Sequence, residues 1–262
     1  MPDGKRVLIT GASAGIGREL AHLFARGGYA LVLVSRNEAR LCDLAEELQR
    51  KYQTQSKIIA KDLSRPGAAS EIFIELREES LPVEILVNNA GFGGHGRFVD
   101  TDLATELEMI ELNLTALTHL AKLFLKPMIA RGSGKILNVA STAAFFPGPL
   151  MAVYYATKAY VLSFSEALAE ELQGTGVTVT CLCPGPTATE FQKRARLADV
   201  FLLKGRAMDA KTVAEIGYRA LRKGKRVAIA GLGNRLAVAF GKLFPRVLVA
   251  RAVKRVQTKL AG

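Results

Sequence analysis

Short runs of consecutive apolar residues alternate along the chain with stretches whose apolar positions recur every three to four residues. The runs "KRVLITG", "ALVLVSR", "SKIIAKDL", "VEILVNNAG", "GKILNVAS", "VTVTCLCPG" and "RVAIAG" read as strands in that order. Helical periodicity covers about Ile16–Arg26, Glu38–Tyr52, Ala68–Glu79, Thr105–Arg131 and Tyr154–Gln173. Strands that are apolar at nearly every position are buried on both faces, as in a parallel sheet. Strand and helix in alternation therefore predict an α/β fold, a doubly wound parallel sheet of about seven strands with right-handed crossovers. No internal repeat, low-complexity linker or second domain interrupts it. One domain is expected over residues 1–230, followed by an extension over 231–262.

Composition narrows the class. With 262 residues and 49% hydrophobic content, the chain is long enough for one sizeable core. Cys42, Cys181 and Cys183 are odd in number and lack paired spacing, which argues against a disulfide framework. The three histidines are scattered, so no metal site is expected. The first strand starts at Arg6 and leaves no room for a charged leader and an apolar segment. No run approaches the ~20 apolar residues that span a bilayer. The expected location is cytoplasmic, with a peripheral membrane position as a variant. Charge is uneven: residues 1–190 carry 18 Lys+Arg against 21 Asp+Glu, whereas residues 191–262 carry 18 against 3. That asymmetry points to a polyanionic partner or a solubilising tail.

Chemistry enters with "TGASAGIG", Thr10–Gly17, between the first strand and the first helix. Glycines there permit a tight turn and let backbone amides approach a pyrophosphate at a helix N-terminus. Gly11, Ser13, Gly15, Ile16 and Gly17 are the expected contacts. At the end of the second strand a cofactor with a free ribose 2′-hydroxyl wants a carboxylate. This chain offers Ser35 and Arg36, which suit a 2′-phosphate, so NADP(H) is favoured and NAD(H) is the alternative. Asp62, with Leu63 beside it, accepts a bond from the adenine amino group or caps the next helix.

Six motifs in order, "TGASAGIG", "NNAG" at 88–91, Asn113, Ser141, "YYATK" at 154–158 and "PGPTAT" at 184–189, are similar to those of the short-chain dehydrogenase/reductase family over about residues 5–230. The resemblance implies a Rossmann fold, a nicotinamide cofactor, a small-molecule hydroxyl or keto substrate, and a homodimer or homotetramer. It implies that Asn89, Ala90 and Gly91 line the cofactor ribose. Pro184, Gly185, Thr187 and Thr189 would clasp the carboxamide. It casts Asn113, Ser141, Tyr154 and Lys158 as the catalytic set, with Asn113 holding a relay water and Ser141 positioning the substrate oxygen. Without the resemblance, Asn113 reads as a mid-helix asparagine bonded to a backbone carbonyl, kinking the helix. Many NADP-preferring relatives carry a basic residue where this chain has Ala14, so the phosphate rests on Arg36 with Ser13 and Ser35 assisting.

Spacing i,i+4 puts Tyr154 and Lys158 on one helix face, although Tyr155 at i,i+3 is close to it. A free phenol has a pKa near ~10, too high for a base at neutral pH. An ammonium about 4 Å from the phenolate is worth roughly 4 kcal/mol at an effective dielectric near 20, enough to bring it close to neutrality. Lys158 would also bind the ribose.

The tail is the least family-like part. The resemblance makes residues 190–212 the substrate cover, with Phe191, Leu197, Val200, Phe201 and Leu202 lining a lipophilic pocket such as a 3-oxoacyl or steroid-like compound needs. Beyond it, Leu236, Phe240, Leu243 and Val247, then Val249, Val253, Val256 and Leu260, alternate with Arg246, Arg251, Lys254, Arg255 and Lys259. A basic amphipathic helix of this kind suits an anionic membrane surface, an oligomer interface or solvent. Nucleic acid is not expected, because no aromatic platform accompanies the charge. The leading reading is an NADP(H)-dependent alcohol dehydrogenase or carbonyl reductase. Its alternatives are a catalytically minor cofactor-binding scaffold and a peripheral membrane-binding module.

Overall fold

The computed structural model describes residues 5–189 and 207–259. Seven parallel strands form one sheet. They are β1 (Arg6–Thr10), β2 (Ala30–Ser35), β3 (Ser56–Ala60), β4 (Ile85–Asn88), β5 (Gly134–Val139), β6 (Val177–Cys183) and β9 (Val227–Ile229). Their spatial order is β3-β2-β1-β4-β5-β6-β9. Two-residue strands β7 (Thr187–Ala188) and β8 (Met208–Asp209) pair separately. Val7 and Ile9 face α1 (Gly15–Arg26), α2 (Glu38–Tyr52) and α7 (Ala210–Arg222). Leu8 faces the other way, with α3 (Ala68–Glu78), α4 (Leu103–Ile110), α5 (Leu117–Ala130) and α6 (Ala152–Glu171) contributing to the same core. Both faces being covered is why the strands read as unbroken apolar runs. The winding reverses between β1 and β4, which opens a crevice at the carboxyl ends of the strands.

Two elements differ from the sequence reading. The stretch expected as one helix over about 105–131 is divided by a π-helical turn, Glu111–Ala116, between α4 and α5. Such turns recur at functional sites. Helix α7, which the hydropathy pattern passes over, buries Val213, Ala214, Gly217, Ala220 and Leu221, mostly small residues that raise hydropathy little. After β9 come α8 (Leu232–Gly241) and α9 (Arg246–Lys259), separated around Pro245. No helix among the described residues is long and apolar enough to cross a membrane.

Candidate active site

The crevice holds a cavity of about 550 Å³. At its floor the "NNAG" segment is tied to the glycine turn. The Thr10 hydroxyl accepts from the Asn89 and Ala90 amides, each at 3.0 Å, and donates to the Val87 carbonyl. The Asn89 side chain donates to the carbonyls of Thr10 and Gly11. Gly11 has φ +65°, and a Cβ at Gly17 would stand 2.3 Å from the Gly11 carbonyl oxygen, so neither position accepts a side chain without moving the turn. Ala14 begins α1 with no side-chain cap, leaving the first-turn N–H groups to bond something other than their own helix. Gly11, Ser13, Gly15, Ile16, Asn89, Ala90 and Gly91 all line the cavity, whereas Gly17 lies behind it. Pro184, Gly185, Thr187 and Thr189 form the opposite wall. This wall is held by the Thr142 amide on the Pro184 carbonyl and by Asn234 of α8 packed against Gly185. Backbone-lined and closely fitted, this cradle suits a dinucleotide.

The reacting end gathers Ser141, Tyr154 and Lys158. Ser141 precedes a short 3₁₀ turn, Thr142–Phe145, and its hydroxyl accepts from the Ala143 amide at 3.1 Å. Burial pushes the Tyr154 hydroxyl up to about 12, opposed by its hydrogen bond with Ser141. Burial also brings the Lys158 ammonium down to about 8, with Cys181 and Cys183 acting the other way. The depression of Tyr154 by Lys158 that the sequence predicts is not met here. Nζ donates to the Val139 carbonyl at 3.0 Å and stands 5.9 Å from the Tyr154 ring centroid, and the cost of dehydrating the phenolate prevails.

Asn113 sits in the π turn and does not line the cavity. Its amide bonds the Phe92 backbone in both directions, accepting from N–H at 3.1 Å and donating to C=O at 2.9 Å. It also donates to the Thr157 hydroxyl at 3.1 Å. The carbonyl it bonds is therefore across the fold rather than one turn back along its own helix. Gly91 fills the gap: a Cβ there would meet Asn113 Oδ1 at 2.8 Å and Lys158 Nζ at 3.5 Å.

At the far end, Ser35, Arg36, Asp62 and Leu63 line the cavity. Arg36 is engaged by carboxylates, Asp62 at 3.5 Å and Glu108 at 3.1 Å. Asp62 does not cap α3, whose N-cap is Gly67. It closes a local turn instead, accepting from the Ser64 amide and hydroxyl. Burial acts to raise the Asp62 carboxyl, but the Ser64 bonds and Arg36 hold it below its ordinary value. Arg40 and Lys61, which the motifs do not single out, also line this end. Arg40 stands in the first turn of α2, four residues along the chain from Arg36. The residues proposed as cover, Phe191, Leu197, Val200, Phe201 and Leu202, lie outside the described residues. The described substrate side is lined by Phe92, Leu112, Met151, Tyr155, Val256 and Gln257.

The profile of the short chain dehydrogenase family matches residues 5–199. A sulfoacetaldehyde reductase of Chromohalobacter salexigens is 40% identical over 187 residues, 71% of this chain and 73% of that protein. A very-long-chain 3-oxoacyl-CoA reductase of Danio rerio is 35% identical over 197 residues, 72% of this chain. The chain spans only 60% of that relative's length. Among solved structures, a short-chain dehydrogenase from Sphingobium yanoikuyae in complex with NADPH shares 34% identity, with a TM-score of 0.81 over 91% of this chain and 93% of the other.

Proposed function

This chain belongs to the short-chain dehydrogenase/reductase family, and we propose that it is an NADP(H)-dependent oxidoreductase that interconverts a lipophilic ketone and its alcohol. The observation carrying this reading is the single cavity shared by the glycine turn, the Ser141–Tyr154–Lys158 group and the apolar wall of Phe92, Leu112 and Met151. A bound nicotinamide supplies the hydride. The rest is the work of this chain's residues. Ser141 holds the substrate oxygen by a hydrogen bond. Tyr154, protonated at neutral pH with its hydroxyl near 12, delivers a proton to that oxygen in the reductive direction. Lys158, whose side chain lines the same cavity, would bind the cofactor ribose, and Asn113 fixes the Phe92 backbone next to Gly91. The acyl substrate named for the Danio rerio relative supports a lipophilic carbonyl, as does the apolar wall.

The preference for NADP(H) rests on Arg36, with Ser13, Ser35 and Arg40 around it. A 2′-phosphate would have to draw Arg36 away from Asp62 and Glu108, which are both partly exposed. Fluorescence titration should give tighter binding of NADPH than of NADH. Arg36→Ala should weaken NADPH by about tenfold or more, the loss of one charge-assisted phosphate bond, while leaving NADH little changed. Equal affinities in the wild type would remove the phosphate argument.

A second reading concerns α8 and α9. Leu236, Phe240, Leu243, Phe244, Val247 and Leu248 are exposed beside exposed Arg246, Arg251, Lys254 and Arg255. None of these four cations has a carboxylate partner among the described residues. We propose that this face rests on an anionic bilayer, to which each cation contributes on the order of 1 kcal/mol. The protein should co-sediment with phosphatidylserine vesicles and not with phosphatidylcholine vesicles. Changing the four cations to Gln should abolish that binding; undiminished binding would dismiss it.

A further inference from the structure

The inward side of α9 is built from residues four apart, Val249, Val253 and Gln257. The hydropathy series Val249, Val253, Val256 and Leu260 predicts Val256 as the residue after Val253 on this side, but Val256 is 55% exposed and Gln257 is 6% exposed. A glutamine at the buried end of an otherwise apolar stripe is disfavoured unless both ends of its amide are bonded. One end is bonded: Nε2 donates to the Tyr155 hydroxyl at 3.0 Å. The other, Oε1, is buried with no hydrogen-bond partner among the described residues. Both Gln257 and Tyr155 line the catalytic cavity. The Tyr155 ring in turn packs edge-on against Tyr154, with centroids 6.1 Å apart, and Gly148 lies flush against it, leaving no room for a Cβ. Tyr155 therefore fixes where the Gln257 amide can point, and the same ring packs against the catalytic tyrosine.

We infer that Gln257 determines substrate specificity: its amide oxygen accepts a hydrogen bond from a donor on the substrate, a hydroxyl or an amide N–H, carried on the lipophilic body away from the reacting carbonyl. The inference rests on the oxidoreductase reading and adds a chemical class to it. Purely hydrocarbon ketones leave the oxygen unsatisfied. Ketones with a donor at the matching distance satisfy it. Sites of this kind discriminate well because the analogue lacking the donor strands a buried polar atom. The hydrogen bond of Gln257 goes to Tyr155 and not to Ser141, Tyr154 or Lys158, so it acts on substrate affinity rather than on the chemical step.

The test uses the full chain with NADPH and two matched ketone series over a range of chain lengths, ω-hydroxy-2-alkanones and ω-methoxy-2-alkanones. The methoxy compounds keep the polarity and remove the donor. At one chain length the hydroxy ketone should exceed its methoxy counterpart by about tenfold in kcat/KM, carried by KM. Gln257→Leu should bring that ratio close to one with NADPH affinity unchanged. Gln257→Glu should retain it. Gln257→Met serves in place of the leucine variant if that protein does not fold. Equal rates for the two series at every length in the wild type would overturn the inference and leave the oxidoreductase reading intact. So would an unchanged ratio in both apolar variants. No turnover of any ketone would overturn the oxidoreductase reading, and this inference with it.

Discussion

Tyr154→Phe should lower kcat for ketone reduction by about a thousandfold, within the range that a positioned general acid contributes, while NADPH binding stays near that of the wild type. The substitution deletes one buried oxygen and keeps the ring, so packing between α6 and the core is preserved. The proton has no other source at that position. Ser141, the hydroxyl bonded to Tyr154, is a far weaker acid than a phenol and serves to hold the substrate oxygen rather than to protonate it. Tyr155→Phe should by contrast leave kcat nearly intact, because its hydroxyl reaches Gln257 and not the Ser141 side of the cavity. Steady-state rates and cofactor titration on the two variants decide the matter. If Tyr154→Phe keeps activity within about tenfold of the wild type, Tyr154 is not the proton donor. If Tyr155→Phe is equally damaging, the four-residue spacing to Lys158 has picked the wrong partner.

The fold and most of the cradle were legible because each depends on short-range pattern. A strand buried on both faces leaves an apolar run, and a strand–turn–helix junction that must carry backbone close to Asn89 leaves glycines at Gly11 and Gly17. What was not legible depends on contacts distant in sequence. The π turn at Asn113 alters the helical period over six residues only, and the partner of its asparagine is the Phe92 backbone, 21 residues away. Arg36 reads as a free cation until Glu108, 72 residues on, is brought beside it. Gln257 reads as one polar residue in a basic tail, and only the fold puts it 3.0 Å from Tyr155. The direction of the Tyr154 shift belongs with these. Spacing supplies the nearby ammonium, but the depth of burial, which raises the phenol, is a property of the assembled core.

Burial also sets the expectation for Lys158→Met: activity should collapse by about a thousandfold or more while thermal stability holds or rises. Lys158 is 6% exposed, and the described contact of its ammonium is the neutral Val139 carbonyl, not a carboxylate. Its folded pKa of about 8 lies below the ordinary lysine value of 10.5. A depressed lysine pKa means that the folded protein binds fewer protons than the unfolded chain between those two values. Stability therefore rises with pH across that window, and below about 8 the buried charge costs its full amount, on the order of 3 kcal/mol. Methionine keeps the length, removes that cost, and leaves the Val139 carbonyl unbonded at about 1–3 kcal/mol, so the two changes nearly offset near neutrality. The stability advantage of the variant should shrink as pH rises towards 10.5, which melting curves at several pH values would reveal. The same proton should appear in the kinetics. Reductive kcat/KM of the wild type should fall as pH rises through about 8, since Tyr154 keeps its proton to about 12 and Lys158 does not. A lower melting temperature for the variant at neutral pH, with activity retained, would make Lys158 a structural residue. A flat reductive profile from neutrality to 10.5 would separate its charge from the reaction.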